Sequence, residues 1–179
     1  MKKNLTFALA VQNHKENNLQ AAENLYKEVL KTNFNHFESI YNLGTIFAQT
    51  KRFDLAKKLL FKAIQIQPNY ADAHNNFGNV LKELGEYQKA ISSYEKVIQI
   101  QPNYANAHYN LGIVFGKLGE YQKSISGYEK AIQIQPNYAS AHYNLGMVLR
   151  ILGENKRAIS SYKMAVKYKP ENLIYLYHL

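Results

Sequence analysis

The chain repeats itself every 34 residues, and that period limits what it can fold into. The string Gln-Pro-Asn-Tyr-Ala begins at Gln67, Gln101 and Gln135, and laying 71–104 over 105–138 leaves ten mismatches in 34 positions. A fold with one compact core has no use for such a period, whereas a stack of equal supersecondary units requires it. In the same frame the chain reads as 3–36, 37–70, 71–104, 105–138 and 139–172, with 173–179 opening a further or capping helix. We therefore expect one array over 1–179. Repeat position 8 holds Ala10, Gly44, Gly78, Gly112 and Gly146, and position 20 holds Ala22, Ala56, Ala90, Ser124 and Ala158. Position 24 holds Tyr26, Leu60, Tyr94, Tyr128 and Tyr162, and position 32 holds Phe34, Pro68, Pro102, Pro136 and Pro170.

One unit can be read physically. Within 72–84, Phe77, Val80, Leu81 and Leu84 fall at i, i+3, i+4 and i+7, one apolar stripe of a helix. Gly85 follows as a helix-ending residue tolerant of the left-handed conformation. A second helix is expected from about Tyr87 to Ile100, stopped by Pro102, and Asn103 is the expected cap of the next helix, within a residue or two. Gly78 and Ala90 are expected to let the two backbones approach closely, where a larger side chain would overpack the contact. One such pair cannot bury its own apolar face, so stability must come from stacking on neighbours. The fold class is all-α, with no β-sheet.

This combination of period, Gly, Ala, Tyr and Pro over 3–172 resembles the tetratricopeptide repeat. The resemblance implies a right-handed α-solenoid of stacked antiparallel helix pairs, whose first helices line a concave groove that holds extended peptides. Departures are small: His74, His108 and His142 stand where that family often has Trp, Ser124 replaces Ala, and Phe34 replaces Pro. On this reading the candidate peptide-binding residues follow position by position. Position 6 presents Asn42, Asn76, Asn110 and Asn144, a row of carboxamides at about 8–10 Å intervals able to hydrogen-bond an extended backbone. The row ends at Ala8 in the first unit. Position 5 holds Tyr41, Asn75, Tyr109 and Tyr143, position 9 holds Thr45, Asn79, Ile113 and Met147, and position 12 holds Ala48, Lys82, Gly116 and Arg150. These varying residues are candidates for specificity. Two readings stay open: the asparagines grip peptide, or they merely cap and solvate the groove of copied repeats. Tyr109 and Tyr143 likewise serve either ligand or the packing of the adjacent unit.

His-Tyr-Asn-Leu-Gly at 108–112 and 142–146 also resembles the repeats of O-linked N-acetylglucosamine transferases, whose asparagine ladder holds substrate peptide. Three functions are thereby carried forward. The first is a scaffold binding a protein or peptide, the second the substrate-recognition region of a larger transferase, and the third a scaffold that self-assembles through its C-terminal edge. That edge is expected to present Leu173, Ile174, Leu176 and Leu179 as an unfinished apolar helix. A carboxylate clamp for chaperone tails is not supported, because position 5 is Tyr or Asn.

Composition removes other classes. There is no cysteine, hence no disulfide, thiolate metal site or Cys nucleophile, in keeping with a cytoplasmic location. No phosphate loop, His-Glu-x-x-His pair or nucleophile elbow occurs, so no enzyme activity and no cofactor is expected. His74, His108 and His142 lie one per unit, too far apart to share a metal, and read as packing or hydrogen-bonding histidines. The net charge of +9 gathers in the second and fifth units, which carry +3 and +4. A solvated outer face accounts for it, and nucleic acid is not the expected partner. The short run from Leu5 to Val11 after Met1-Lys2-Lys3 faintly resembles a signal peptide, but Thr6 breaks it and it fits the first repeat helix. No stretch approaches a membrane span.

Overall fold

The computed structural model describes the backbone of residues 2–178 and the side chains of residues 5–178. Eleven helices and no strand occur among the described residues. The chain divides after Ser93 into two compact units, the division falling inside α6 (Tyr87–Ile100).

The first unit contains α1 (Lys2–Lys15), α2 (Leu19–Thr32), α3 (Phe37–Gln49), α4 (Phe53–Ile66) and α5 (Ala71–Glu83). Successive helices pack as pairs, α1 on α2 and α3 on α4, and each pair stacks on the next. The stripe expected from the 3.6-residue period is the buried face: Ala10, Tyr26, Leu43, Ile46, Leu60 and Val80 belong to one cluster running from α1 to α5. Phe37, Ile40, Ala63 and Ala73 form a second cluster between α3, α4 and α5. The second unit contains α7 (Ala105–Lys117), α8 (Tyr121–Ile134), α9 (Ala139–Ile151), α10 (Asn155–Tyr168) and α11 (Leu173–Tyr177). Its core repeats the plan with Ile125, Tyr128, Leu145, Leu149 and Tyr162.

Ladder-like stacking explains the small residues, though not quite as expected. A Cβ on Gly112 would stand 2.6 Å from Tyr128 Cε1, and one on Gly146 would stand 2.6 Å from Tyr162 Cε1. At Gly112 and Gly146 the glycine of position 8 therefore makes room for the tyrosine of position 24, and Gly44 makes room for Leu60 in the same way. Backbones do meet at Gly127, whose Cβ would lie 2.8 Å from both Gly112 N and His108 O. Ser124, in place of alanine, satisfies its buried hydroxyl by donating to the Gly112 carbonyl at 2.7 Å.

The helix ends also refine the expectation. Gly85, Gly119 and Gly153 take φ near +75° to +78° at repeat position 15, and Asn17 and Lys51 take φ 62° and 58° at the same position. Asn103 does not cap α7. The N-cap is Tyr104, without a side-chain cap bond, and Tyr70 and Tyr138 stand likewise before α5 and α9. The asparagine is instead an inner residue of a turn in which Tyr104 N–H donates to Gln101 O at 3.1 Å, with proline at the second place. Each repeat histidine ties this turn down: Nε2–H of His74, His108 and His142 donates to the carbonyls of Pro68, Pro102 and Pro136 at 2.9, 3.0 and 2.9 Å.

At the C-terminal edge the expected helix begins at Leu173. α11 turns Tyr175 inward against Ala139 and Ala165, and leaves Leu173 78% exposed, with Ile174 and Leu176 also exposed. The inward face is aromatic because Tyr143 offers a ring to stack on, at 4.7 Å between centroids. Leu179 lies outside the described residues.

Candidate functional site

The first helix of each pair carries the candidate residues, and the two units are taken separately. In the first unit α3 and α5 lie side by side. Asn76 Nδ2 on α5 donates to the Tyr41 hydroxyl on α3 at 3.0 Å and to Thr45 Oγ1 at 3.4 Å. Asn75 Nδ2, buried, sits 3.5 Å from Asn76 Oδ1. Tyr41 in turn stands edge-on to Tyr70, 5.2 Å between centroids. Burial pushes the Tyr41 phenol up to about 12, with the nearby Asp72 charge adding to the effect, so its O–H stays a neutral hydrogen-bonding group. Asn42 is half-buried on α3, and its counterpart at position 5 of the preceding repeat is Phe7, which has no hydroxyl to offer. Asn79 is half-buried on α5, and Lys82 Nζ lies 3.5 Å from Glu83 Oε1.

The second unit repeats the arrangement. Asn144 Nδ2 on α9 donates to the Tyr109 hydroxyl on α7 at 3.0 Å. Burial raises the Tyr109 phenol as well. Asn110 is buried on α7. The rung thus joins position 6 of one repeat to position 5 of the repeat before it, in both units. Such a bond fixes the orientation of an amide that would otherwise be free to flip. Tyr109 packs 4.8 Å from Tyr138 and 5.8 Å from Tyr128, and Tyr143 packs against Tyr162 and Tyr175. Both tyrosines therefore have a structural share.

A cavity of about 340 Å³ opens beside the Asn144 rung. Tyr143, Asn144, Met147, Ile113 and Gly116 line it, uniting repeat positions 5, 6, 9 and 12, the ones singled out in the sequence as variable neighbours of the asparagines. Arg150, exposed at the next turn, approaches Met147 Sδ at 3.9 Å and His178 Nδ1 at 3.4 Å. Tyr70 and Tyr138, which end the second and fourth repeats, were not recognised as part of the site. Their signal was present in the Gln-Pro-Asn-Tyr string, which served only to set the repeat register.

The arrangement offers amide and phenol hydrogen bonds above an apolar floor, and no group set for bond-making chemistry. Profiles described as tetratricopeptide repeat match residues 37–70, 59–92, 105–138 and 128–160, and one described as TPR repeat matches 78–119. Together they run without a gap from 37 to 160, well over half of the chain, and the protein belongs to the tetratricopeptide-repeat family. No curated protein matches it. Among solved structures, MamA is 27% identical, with 90% of this chain and 95% of that chain covered and a TM-score of 0.82. Two others share the fold at 19% identity. One is YrrB, described as a TPR protein with an unusual peptide-binding site, covering 96% and 89% with a TM-score of 0.77. The other is PilF of Pseudomonas aeruginosa, covering 98% and 80% with a TM-score of 0.87. No helix among the described residues is long and apolar enough to cross a membrane.

Proposed function

We propose that the protein is a non-catalytic scaffold that holds an extended peptide segment of a partner protein along its first helices. The observation that carries this reading is the Tyr–Asn rung, Asn76 on Tyr41 and Asn144 on Tyr109, each 3.0 Å long. A pinned carboxamide presents its remaining hydrogen-bonding capacity in a fixed direction, which lowers the ordering cost of gripping a peptide backbone. The cavity beside Asn144, of about 340 Å³, falls within the ordinary range of ligand pockets and suits one side chain of that peptide. Its lining of Ile113, Met147 and Tyr143 favours an apolar one. That YrrB carries a peptide-binding site on the same fold supports the reading by analogy.

The test begins with partner peptides recovered by pull-down and mass spectrometry. Their binding is then measured to the native chain and to a variant with Asn76, Asn110 and Asn144 all changed to Ala. The expected outcome is a loss of roughly tenfold or more in affinity, about 1.4 kcal/mol, with helical content unchanged. Unchanged affinity would remove the asparagines from the site. Tyr41→Phe and Tyr109→Phe are expected to weaken binding less, because they release the amides without deleting them.

A further inference from the structure

The first unit carries a second recess, about 660 Å³ in volume, whose lining includes neither Asn76 nor Tyr41 of the rung. Asp54, Lys57, Lys58 and Phe61 of α4 form one wall, at i, i+3, i+4 and i+7, hence on a single helix face. Phe77 of α5 meets Phe61 at 5.9 Å between ring centroids, and Lys89 of α6 closes the far rim.

All four α4 residues depart from the repeat pattern. The same positions hold Gln88, Ile91, Ser92 and Glu95 in the third repeat, and Gln122, Ile125, Ser126 and Glu129 in the fourth. Position 25 is charged in every repeat except the second, where it is Phe61. Phe77 departs too, since position 7 is leucine in the other four repeats. Two unrelated departures that meet in space to make an aromatic floor are not explained by copying. Nor are they explained by the core, because Phe61 is 50% exposed.

Comparison with the second unit shows what has been given up. There Glu129, at position 25, accepts from Arg157, at position 19 of the next repeat, at 3.0 Å, and the ion pair bridges the two repeats. In the first unit Phe61 stands at position 25 and Lys89 at position 19, so that pair cannot form. Lys89 turns instead to Glu86 at 2.6 Å, and Lys57 shares the same carboxylate. Among the described residues, no carboxylate lies within ion-pair distance of Lys58. Three ammonium groups against Asp54 and Glu86 leave the rim net positive, and the second repeat, which supplies Lys57 and Lys58, itself carries +3.

We propose that this recess is a second binding site, which takes a peptide segment carrying one bulky apolar side chain flanked by carboxylates. The apolar side chain enters between Phe61 and Phe77, where ring–ring contact adds to area burial. A flanking carboxylate meets Lys58, whose ammonium has donors to spare. Ser92 and Ser93, whose hydroxyls donate to their own helix backbone at Gln88 and Lys89, remain as acceptors at the rim.

The test uses capped pentapeptides Gly-Glu-X-Glu-Gly, with X as Phe or Ala, and the basic control Gly-Lys-Phe-Lys-Gly, titrated into the isotopically labelled full chain and followed by NMR. The Phe peptide is expected to shift amides of 54–61 and 89–93. The Ala and basic peptides should bind at least ~tenfold more weakly, and added salt should weaken the Phe peptide. Phe61→Glu restores the residue type of the third and fourth repeats at an exposed position and should abolish binding. Lys58→Ser, also a return to pattern, should weaken binding and flatten its salt dependence. Asn76→Ala should leave it unchanged, which separates this site from the first-helix face. Shifts confined to first helices, equal binding of the three peptides, absence of binding, or full binding by both α4 variants would overturn the proposal.

Discussion

Tyr26 shows how much a single atom can be asked to bear in a repeat of this kind. Position 24 needs a large side chain to fill the space that the small residue at position 8 leaves open, and Tyr26 is fully buried against Ala10 and Leu43 in that role. Among the described residues its hydroxyl has no hydrogen-bond partner, nor has that of Tyr162 at the same position of the fifth repeat. Burial pushes the Tyr26 phenol up to about 12. A buried, unpaired hydroxyl costs stability while its ring contributes it, so the two can be separated by removing the oxygen alone. Tyr26→Phe is expected to stabilise the chain by about 1 kcal/mol, read as a higher urea midpoint with unchanged slope. A clear loss of stability would mean that the oxygen is satisfied in solution. The same change at Tyr41, whose oxygen accepts from Asn76, should instead cost about 1 kcal/mol.

At the scale of the helix, the sharpest constraint is the second residue after each first helix. Five residues in register have positive φ, and three are glycine. Lys51 pays for this conformation with a Cβ that crowds its own backbone, whereas Gly85, Gly119 and Gly153 do not. Lys51→Gly should therefore stabilise the chain by about 1 kcal/mol, measurable by thermal or chemical unfolding, and Gly119→Lys should do the reverse. If Lys51→Gly were destabilising, the long side chain would be contributing a contact larger than the strain. Helix positions were legible in the sequence to within about a residue, because the apolar period, Gly85 and Pro102 all mark the same boundaries. The position-6 asparagines were legible as a row, since identity at a fixed spacing needs no coordinates. Their tyrosine partners were not, because the bond joins residues 35 apart, as from Asn76 to Tyr41, and crosses from one repeat to the next. The cap falls at Tyr104, one residue beyond Asn103, because Gln101-Pro102-Asn103-Tyr104 closes as a turn before the helix begins. The Phe61–Phe77 floor was invisible for a different reason: it consists of departures from the pattern, and only packing reveals that two of them meet.

For the molecule as a whole, the charges that tie repeats together are unevenly placed, and pH should expose this. In the first unit Glu23 is 3% exposed and accepts from Arg52 of the next repeat at 2.6 Å and from Lys27 at 2.6 Å. The Arg52 hydrogen bond, with help from Lys27, holds its carboxyl below the ordinary carboxylate range. Glu86 is held low as well, by Lys57 of the preceding repeat and then by Lys89. Both carboxyls bind protons less readily folded than unfolded. Their stabilisation is therefore complete above the ordinary carboxylate value of about 4.3 and declines as pH falls through the lower folded values. The tyrosines work in the opposite direction. Burial raises Tyr26 and Tyr41 in the first unit, and Tyr128 and Tyr138 in the second, to about 12. These phenols hold their protons more tightly folded than unfolded, so stability is full below about 10 and declines as pH rises toward the folded values. Acid should accordingly loosen residues 1–93 before 94–179, whereas alkali should loosen both together. In a stack governed by nearest neighbours, such local loosening need not unfold the rest. Hydrogen exchange after brief incubation at pH 3, 7 and 11 would reveal the difference, with early loss of protection in α2 to α4 at the acid end alone. Uniform loss in acid would mean that the Glu23 and Glu86 bridges contribute little to holding the first unit together.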